Sequence, residues 1–227
     1  MTLVLFDIDQ TLMESGGVGM RCLKAAARET LGIDAFEGVH PDGKTDPQIL
    51  AEGLSIHGLG EADFKHVIAR YIELLRDELG RPDPRRRLKP GVQALLDALS
   101  ANTALGLLTG NLQTTAHLKL QALRIEPYFP IGAYGSDAAV RTHLGPVALQ
   151  RARAHYGRTF DTVWVIGDTP MDIEAGRAIA AHTLAVATGS HTVEALQRAK
   201  ADAALPDLSD TAQVLQILGV AGPARFC

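Results

Sequence analysis

The sequence has little of what marks several classes of protein. Two cysteines, Cys22 and Cys227, are too few for a disulfide framework or a cysteine metal site, and the eight histidines show no metal-ligand spacing. The formal net charge is −4, and positive charge is concentrated only in the three arginines at 85–87. We therefore expect no nucleic-acid partner, because a face that binds nucleic acid collects many basic residues.

Long apolar stretches are also missing. No uninterrupted run approaches the ~20 residues of a membrane-spanning helix. The short apolar run at the N-terminus follows no basic segment, so neither a membrane partner nor a signal peptide is expected. With 46% hydrophobic and 21% charged residues, the composition is that of a folded globular chain. We predict a cytoplasmic monomer or homodimer, with Cys22 in an apolar core and Cys227 mobile as the last residue.

Three short apolar runs, 3–6, 104–108 and 162–166, have the character of buried strands, and polar residues follow each of them. Because the carboxyl ends of parallel strands meet at one edge of a sheet, where ligands bind, we expect these polar side chains to converge. They are, in chain order, Asp7 and Asp9, then Thr109, Gly110 and Asn111, then Asp168 and Asp172.

Asp7 and Asp9 stand two residues apart at the end of a buried strand. Carboxylates in such a place are costly unless something compensates their charge. A divalent cation is one such compensator, since hard cations prefer oxygen ligands. The alternative is that the aspartates only cap a helix or satisfy a turn, which Asp often does.

The ordered set of polar residues adds what no single pair of aspartates provides. It resembles motifs one, two and four of the haloacid dehalogenase superfamily: Asp7-x-Asp9-x-Thr11, Thr109-Gly110-Asn111, and Gly167-Asp168 with Asp172. The resemblance implies a Rossmann-like α/β core, that is, a doubly wound parallel sheet. The strand–helix alternation from residue 88 onward favours the same fold.

Residues 16–87 interrupt this alternation. They have helical spacing, contain no strand candidate, and begin and end in stretches rich in glycine or proline. We predict an inserted all-α cap at 16–87 and a catalytic core formed by 1–15 and 88–227. A cap in this position resembles that of the phosphoglycolate-phosphatase-like and phosphomutase-like branches of the superfamily.

The resemblance also implies the chemistry of the strand ends. Asp7 matches the nucleophile that becomes an aspartyl-phosphate, and Asp9 matches the general acid and base. Asp9 favours a phosphatase over a dehalogenase, because a carbon–halogen bond leaves no alkoxide to protonate. Mg²⁺ would be bound by the side chains of Asp7 and Asp168 and the backbone carbonyl of Asp9. Asp172 would anchor a metal-bound water, or would only be the acidic residue of a helix N-terminus.

Phosphate binding is expected from Thr109 and from the backbone amides near Gly110 and Asn111. The family's third motif supplies a lysine, but residues 135–146 contain none, and Arg141 is the candidate for that positive charge. The alternative is that Arg141 is a surface residue near a helix start. Lys119 is a weaker candidate, because we expect it in the middle of a helix and away from the strand ends.

In the predicted cap, Lys44 and Thr45 open a helix whose amides suit an anion, and we expect this stretch to reach the substrate. The alternative is an ordinary capped helix. The whole pattern predicts a magnesium-dependent phosphatase that acts on a small phosphorylated metabolite. A phosphomutase of the β-phosphoglucomutase type and a weakly active phospho-aspartyl binding module are the rival functions. Asp9 disfavours the binding module, since a pure phosphate acceptor needs no leaving-group acid.

Overall fold

The computed structural model describes residues 1–221, and its centre is a six-stranded sheet. The strands, including two short ones outside this sheet, are β1 (Thr2–Phe6), β2 (Met13–Glu14), β3 (Arg87–Leu88), β4 (Ala104–Leu108), β5 (Gly132–Ala133), β6 (Thr162–Gly167), β7 (His182–Val186) and β8 (Ala203–Leu205). The helices are α1 (Val18–Leu31), α2 (Asp46–Ser55), α3 (Glu61–Leu79), α4 (Val92–Ser100), α5 (Gln113–Ala122), α6 (Leu144–Tyr156), α7 (Pro170–Arg177), α8 (Val193–Arg198) and α9 (Thr211–Leu218). Short 3₁₀ turns cover Glu126–Tyr128 and Arg141–His143.

The sheet is parallel, with the strand order β5-β4-β1-β6-β7-β8. β1 lies between β4 and β6, and Leu3 is in register with Ala104 on one side and Val163 on the other. The strand order reverses direction at β1, so the ends of β1, β4 and β6 form a crevice at one edge of the sheet. The predicted α/β doubly wound sheet is confirmed.

Side chains of β1 alternate between two apolar layers, as the pleat requires. Val4 and Phe6 pack with side chains of α4, α5 and α9, whereas Leu3 and Leu5 pack with side chains of α6 and α7. The central strand is therefore buried on both faces. This explains why its sequence is a continuous apolar run rather than an alternating one.

Helices α1, α2 and α3 share a separate apolar cluster. It includes Cys22, which is buried as predicted, and Tyr71, which is 2% exposed. Leu112, next to α5, also contributes to this cluster, so the helical segment packs against the sheet domain at that point. The division into a core (1–15, 88–227) and a cap (16–87) stays a prediction.

The structure differs from the sequence-based expectations at several short elements. Residues 13 and 14, expected in a glycine-rich linker, form β2, which pairs antiparallel with β3 where the chain returns from the helical segment. Strand β8 was not predicted, because its three residues, Ala-Ala-Leu, carry almost no β-propensity signal. The sequence pattern predicts a helix over residues 170–181, but α7 ends at Arg177. In residues 1–221, no helix has the length and apolar character needed to cross a bilayer. Cys227 lies outside the described residues.

Two glycines with similar backbone conformations test how tightly α4 packs. Gly91, before α4, has φ of 79°, and a Cβ there would lie 1.9 Å from the Leu208 carbonyl oxygen. Gly157, after α6, has φ of 64°, and a Cβ there would meet nothing within 4 Å. Gly157→Ala should cost about 1–2 kcal/mol from left-handed strain alone. Gly91→Ala should cost roughly 1–3 kcal/mol more, because Leu208 must move. Urea unfolding of both variants measures the difference, and equal losses would contradict the packing of α4 described above.

Candidate active site

The first strand delivers two carboxylates through a tight turn. Asp7 still belongs to the sheet, since its N–H donates to the Ile166 carbonyl oxygen at 2.9 Å. Gln10 then takes a left-handed conformation with φ of 64°, and its N–H donates to the Met13 carbonyl oxygen at 2.8 Å. Many members of the resembled superfamily have glycine here, which adopts this conformation at no steric cost. The turn leaves Asp9 facing the crevice, with 35% of its side chain exposed.

Asp7, Asp168 and Asp172 form a cluster of buried carboxylates. One oxygen from each lies within 4.8 Å of the others. Asp172 is held by its helix: its Oδ2 accepts hydrogen bonds from the N–H and the hydroxyl of Thr169, at 3.0 and 2.7 Å. It is thus both the capping residue of α7 and a member of the cluster. Gly167 leaves room for it, because a Cβ there would lie 2.1 Å from the Asp172 carboxyl carbon.

Arg141 supplies positive charge to this cluster. It lies in the 3₁₀ turn that precedes α6 and is 5% exposed. Its Nη2 is 2.8 Å from Asp7 Oδ1 and also donates to Asp172 Oδ1. The structure therefore places Arg141 beside the predicted nucleophile. The alternative of a surface arginine is wrong.

Burial and neighbouring charges shift the pKa values of the clustered carboxyls by different amounts. Burial, partly offset by Arg141, raises the pKa of Asp7 to about 6, and the charges of Asp172 and Asp9 add to the rise. Burial and the charges of Asp172 and Asp7 raise the pKa of Asp168 to about 9. Burial opposes the charge of Arg141, but Asp172 and Asp7 outweigh it and raise the pKa of Arg141. One arginine thus leaves the three carboxylates with an excess of negative charge.

This donor set fits Mg²⁺. Three carboxylates with converging oxygens are the hard ligands that a small divalent cation prefers, and one arginine cannot neutralise all three. Asp7, Asp168 and Asp172 would hold such an ion, with Asp168 the least compensated. The carboxylate of Asp9 is not part of the cluster. The predicted metal ligand from Asp9 is its backbone carbonyl, and this stays a prediction.

Asp9 is held by a second cation. Lys119 Nζ lies 2.5 Å from Asp9 Oδ2 and 2.6 Å from Asn111 Oδ1, and Lys119 is 3% exposed. The expectation that Lys119 lies away from the strand ends is wrong, because its side chain extends from α5 back to the crevice. Spacing held the missed signal: Thr115 and Lys119 lie four residues apart on one face of α5, and Asn111 precedes Thr115 by the same interval just before the helix begins.

The same network sets the protonation of Asp9. Burial raises the pKa of Asp9, but Lys119 and Asn111 outweigh that effect and hold the pKa below its ordinary value. Without substrate, Asp9 is therefore an ionised partner of Lys119. A general acid needs a raised pKa when substrate is bound, and for Asp9 this stays a prediction.

The residues predicted to bind phosphate and substrate fall into two groups. Gly110, Asn111 and Lys44 line a cavity of about 450 Å³ that also contains Asp7, Asp9, Asp168, Arg141, Lys119 and Tyr71. Thr45 and Thr109 are fully buried behind it. The Thr45 hydroxyl donates to the Ala139 carbonyl oxygen at 2.6 Å and caps α2, so it holds the helical segment against the sheet domain. Thr109 accepts a hydrogen bond from Asn111 Nδ2 at 2.9 Å.

Tyr71 and Asp46 also line the cavity, and the contacts that they make were not predicted from the sequence. Tyr71 was assigned only to the apolar face of its helix, and its hydroxyl lies 3.5 Å from where a Cβ of Gly19 would be. Asp46, at the start of α2, accepts a hydrogen bond from the N–H of Leu112 at 3.0 Å. It thus joins the helical segment to the N-terminus of α5 in the sheet domain. Such roles depend on the packing of distant segments, which spacing along the chain does not encode.

The comparison with known families agrees with this geometry. The family model described as haloacid dehalogenase-like hydrolase matches residues 1–180. The chain belongs to the haloacid dehalogenase-like hydrolase family. The matched region includes Arg141 and the ends of β1, β4 and β6, which carry most of the polar side chains of the cavity.

Named relatives of this haloacid dehalogenase-like hydrolase point to one branch. A phosphoglycolate phosphatase of Rhodospirillum rubrum is 28% identical over 182 residues, which cover 77% of this chain and 75% of that protein. A phosphoglycolate phosphatase of Aquifex aeolicus is 26% identical over 180 residues, 78% and 80% of the two chains. The crystal structure of a hydrolase from Pseudomonas syringae has a TM-score of 0.73 at 22% identity and covers 96% of this chain and 99% of that one. The predicted family, the likeness to the phosphoglycolate-phosphatase-like branch and the hydrolase class are confirmed.

The raised pKa of Asp168 predicts how the stability of the metal-free hydrolase depends on pH. A carboxyl whose folded pKa is raised stabilises the fold below its unfolded pKa of about 4, and this stability is lost as the pH rises toward about 9. The loss from Asp168 should approach about 1.4 kcal/mol per pH unit. In chelator, the melting temperature of wild type should therefore fall more steeply between pH 5 and 8 than that of Asp168→Asn, which cannot ionise.

Adding Mg²⁺ supplies the control. It should raise the melting temperature of wild type at pH 8 and leave Asp168→Asn nearly unchanged, since the variant lacks one ligand. Parallel pH profiles for the two proteins in chelator, measured by scanning calorimetry, would contradict the cost assigned to Asp168.

Proposed function

We propose that this enzyme is a magnesium-dependent phosphatase that hydrolyses a small phosphorylated metabolite through an aspartyl-phosphate on Asp7. The observation that supports this most is the pairing of Asp7 with Arg141 inside a buried carboxylate cluster at the end of the central strand. A nucleophile that attacks a phosphate dianion needs nearby positive charge. The names of both curated relatives agree with a phosphatase, and their identities below 30% leave the substrate to experiment.

The residues divide the reaction between them. The carboxylate of Asp7 attacks phosphorus, and the bond from phosphorus to the ester oxygen breaks. Asp9, about one-third exposed to the cavity, is protonated once the substrate dianion is bound and gives that proton to the leaving oxygen. Asp9 then takes a proton from the water that cleaves the aspartyl-phosphate, which returns Asp7 to a carboxylate. Mg²⁺, when bound, supplies positive charge that offsets the negative charge of the phosphoryl oxygens.

Orientation of the phosphoryl group comes from the chain itself. Arg141 is fixed on Asp7 Oδ1 and Asp172, so its charge is already in place when the phosphate arrives. Gly110 and Asn111 line the same cavity, and their amides would bind the phosphoryl oxygens. Lys44 adds charge at the cap side, where it pairs with Glu52 at 2.6 Å.

The size of the cavity supports a small substrate. About 450 Å³ is near the lower end of the range for small-molecule sites. Helix α2 and the loop before it close one side, and the Ser190 hydroxyl donates to Asp42 at 2.6 Å across the opening. A phosphorylated side chain of a folded protein would have to displace these contacts.

Phosphate release from a panel of esters tests this function. The panel contains an aryl phosphate and small phosphorylated metabolites, phosphoglycolate and sugar phosphates among them. Wild type should release phosphate with Mg²⁺ and not with chelator. Asp7→Asn should lose roughly 10⁴-fold or more of kcat, because no other carboxylate can replace the nucleophile. A sugar phosphate that isomerises without release of phosphate would favour the phosphomutase. Activity retained by Asp7→Asn would reject the mechanism.

The role of Arg141 is tested separately. Arg141→Ala should lower kcat/KM by about 10²–10³-fold, since it removes the fixed charge beside Asp7. Arg141→Lys keeps one charge but cannot bind Asp7 and Asp172 with a planar guanidinium, so an intermediate loss is expected. Arg151→Ala is the matched control, because Arg151 pairs with Asp137 away from the cavity. Near-normal kinetics of Arg141→Ala would contradict this role.

A further inference from the structure

Lys119 is a buried lysine that the proposed chemistry does not use. Burying an ammonium group is costly unless it is paired and hydrogen-bonded. Here it has two close partners, Asp9 Oδ2 at 2.5 Å and Asn111 Oδ1 at 2.6 Å. The cation that the phosphoryl group requires is already supplied by Arg141, which pairs with Asp7 and not with Asp9. Lys119 is therefore not a duplicate of Arg141.

Asn111 closes the arrangement into a ring of three side chains. Its Nδ2 donates to Asp9 Oδ2 at 2.8 Å and to the Thr109 hydroxyl at 2.9 Å, while its Oδ1 accepts from Lys119. Asn111 and Lys119 thus donate to the same oxygen of Asp9. Oδ1 of Asp9 takes part in neither bond, and the Ser15 hydroxyl is a further neighbour of the carboxyl, so a leaving group would meet Asp9 at Oδ1.

The ring also addresses a local weakness of Asp9. This residue lies just after a strand, in a turn, and its side chain is partly exposed to the cavity. A carboxylate in such a place has several rotamers open to it, and a misplacement of ~1 Å can cost about 10²-fold in rate. Two charge-assisted or amide hydrogen bonds to one oxygen select a single orientation.

We propose that Lys119 is a positioning residue, whose ammonium group bridges Asp9 and Asn111 and thereby holds the Asp9 carboxyl toward the ester oxygen that leaves. This rests on the proposed function, in which Asp9 is the leaving-group acid. Lys119 acts through Asp9 and couples it to the loop 109–111, so phosphate binding and proton donation share one scaffold.

A leaving-group series gives a readout that a purely structural lysine would not affect. Aryl phosphates with acidic phenols depart without a proton, whereas alkyl phosphates need one. The value of kcat/KM covers the steps through phosphorylation of Asp7. For Lys119→Met, this value should fall at least about 10-fold further on alkyl than on nitrophenyl phosphates. Lys119→Arg, which keeps the charge, should recover part of the alkyl activity.

The controls separate positioning from stability. Arg151→Met removes another cation, which pairs with Asp137 at 2.7 Å and does not line the cavity. Any loss in that variant should be the same for all leaving groups. If Lys119→Met does not fold, as judged by circular dichroism, Lys119→Gln replaces it, because its amide still satisfies buried partners. The double variant with Asp9→Asn should lose no more than Asp9→Asn alone.

The outcomes distinguish this inference from the proposed function. Asp9→Asn must itself show the leaving-group dependence, and its absence from both variants would reject Asp9 as the acid and this inference with it. Dependence in Asp9→Asn, with a uniform loss in Lys119→Met and Lys119→Gln, would overturn only the role of Lys119. Additive losses in the double variant would overturn it as well.

Discussion

Three carboxylates, from Asp7, Asp168 and Asp172, are confined at one edge of the sheet with oxygens within 4.8 Å of one another. Because these carboxylates repel one another and are buried, the surrounding structure must hold them in place and offset their charge. The parallel register of β1 and β6 brings the first two together, and the N-terminus of α7 fixes the third. Arg141 offsets part of the charge. The remaining excess is what makes the site suited to a divalent cation.

A second dependence runs across the seam between the helical segment and the sheet domain. The N–H of Asp46 donates to the Gly110 carbonyl oxygen at 2.7 Å, and its carboxylate caps α5. Gly110 permits this approach, since a Cβ there would lie 2.3 Å from the Lys44 carbonyl oxygen. The loop at residues 109–111, the helix that carries Lys119 and the start of α2 therefore hold one another in place.

The sequence was sufficient to predict the parts of the site that are local to a strand end. Asp7, Asp9 and Asp168 follow apolar runs, and a parallel sheet brings such ends together whatever the loops do. Arg141 followed from a charge missing where the third motif should be. The position of Lys119 was not predicted. It lies in the middle of a helix, and the sequence does not show that its long side chain reaches back to the strand ends. Strands β2, β3 and β8 were not predicted, because two or three residues show too little periodicity to indicate a strand.

The proposed mechanism depends most on Asp7 being the nucleophile that attacks phosphorus. Acid-quenched single turnover with Mg²⁺ and a phosphate ester, followed by peptide mass spectrometry, measures this directly. The account predicts one phosphoryl group on the peptide that contains Asp7, which appears before free phosphate and decays as phosphate is released. Phosphate released without any phosphorylated peptide, or a phosphoryl group on another residue, would contradict it.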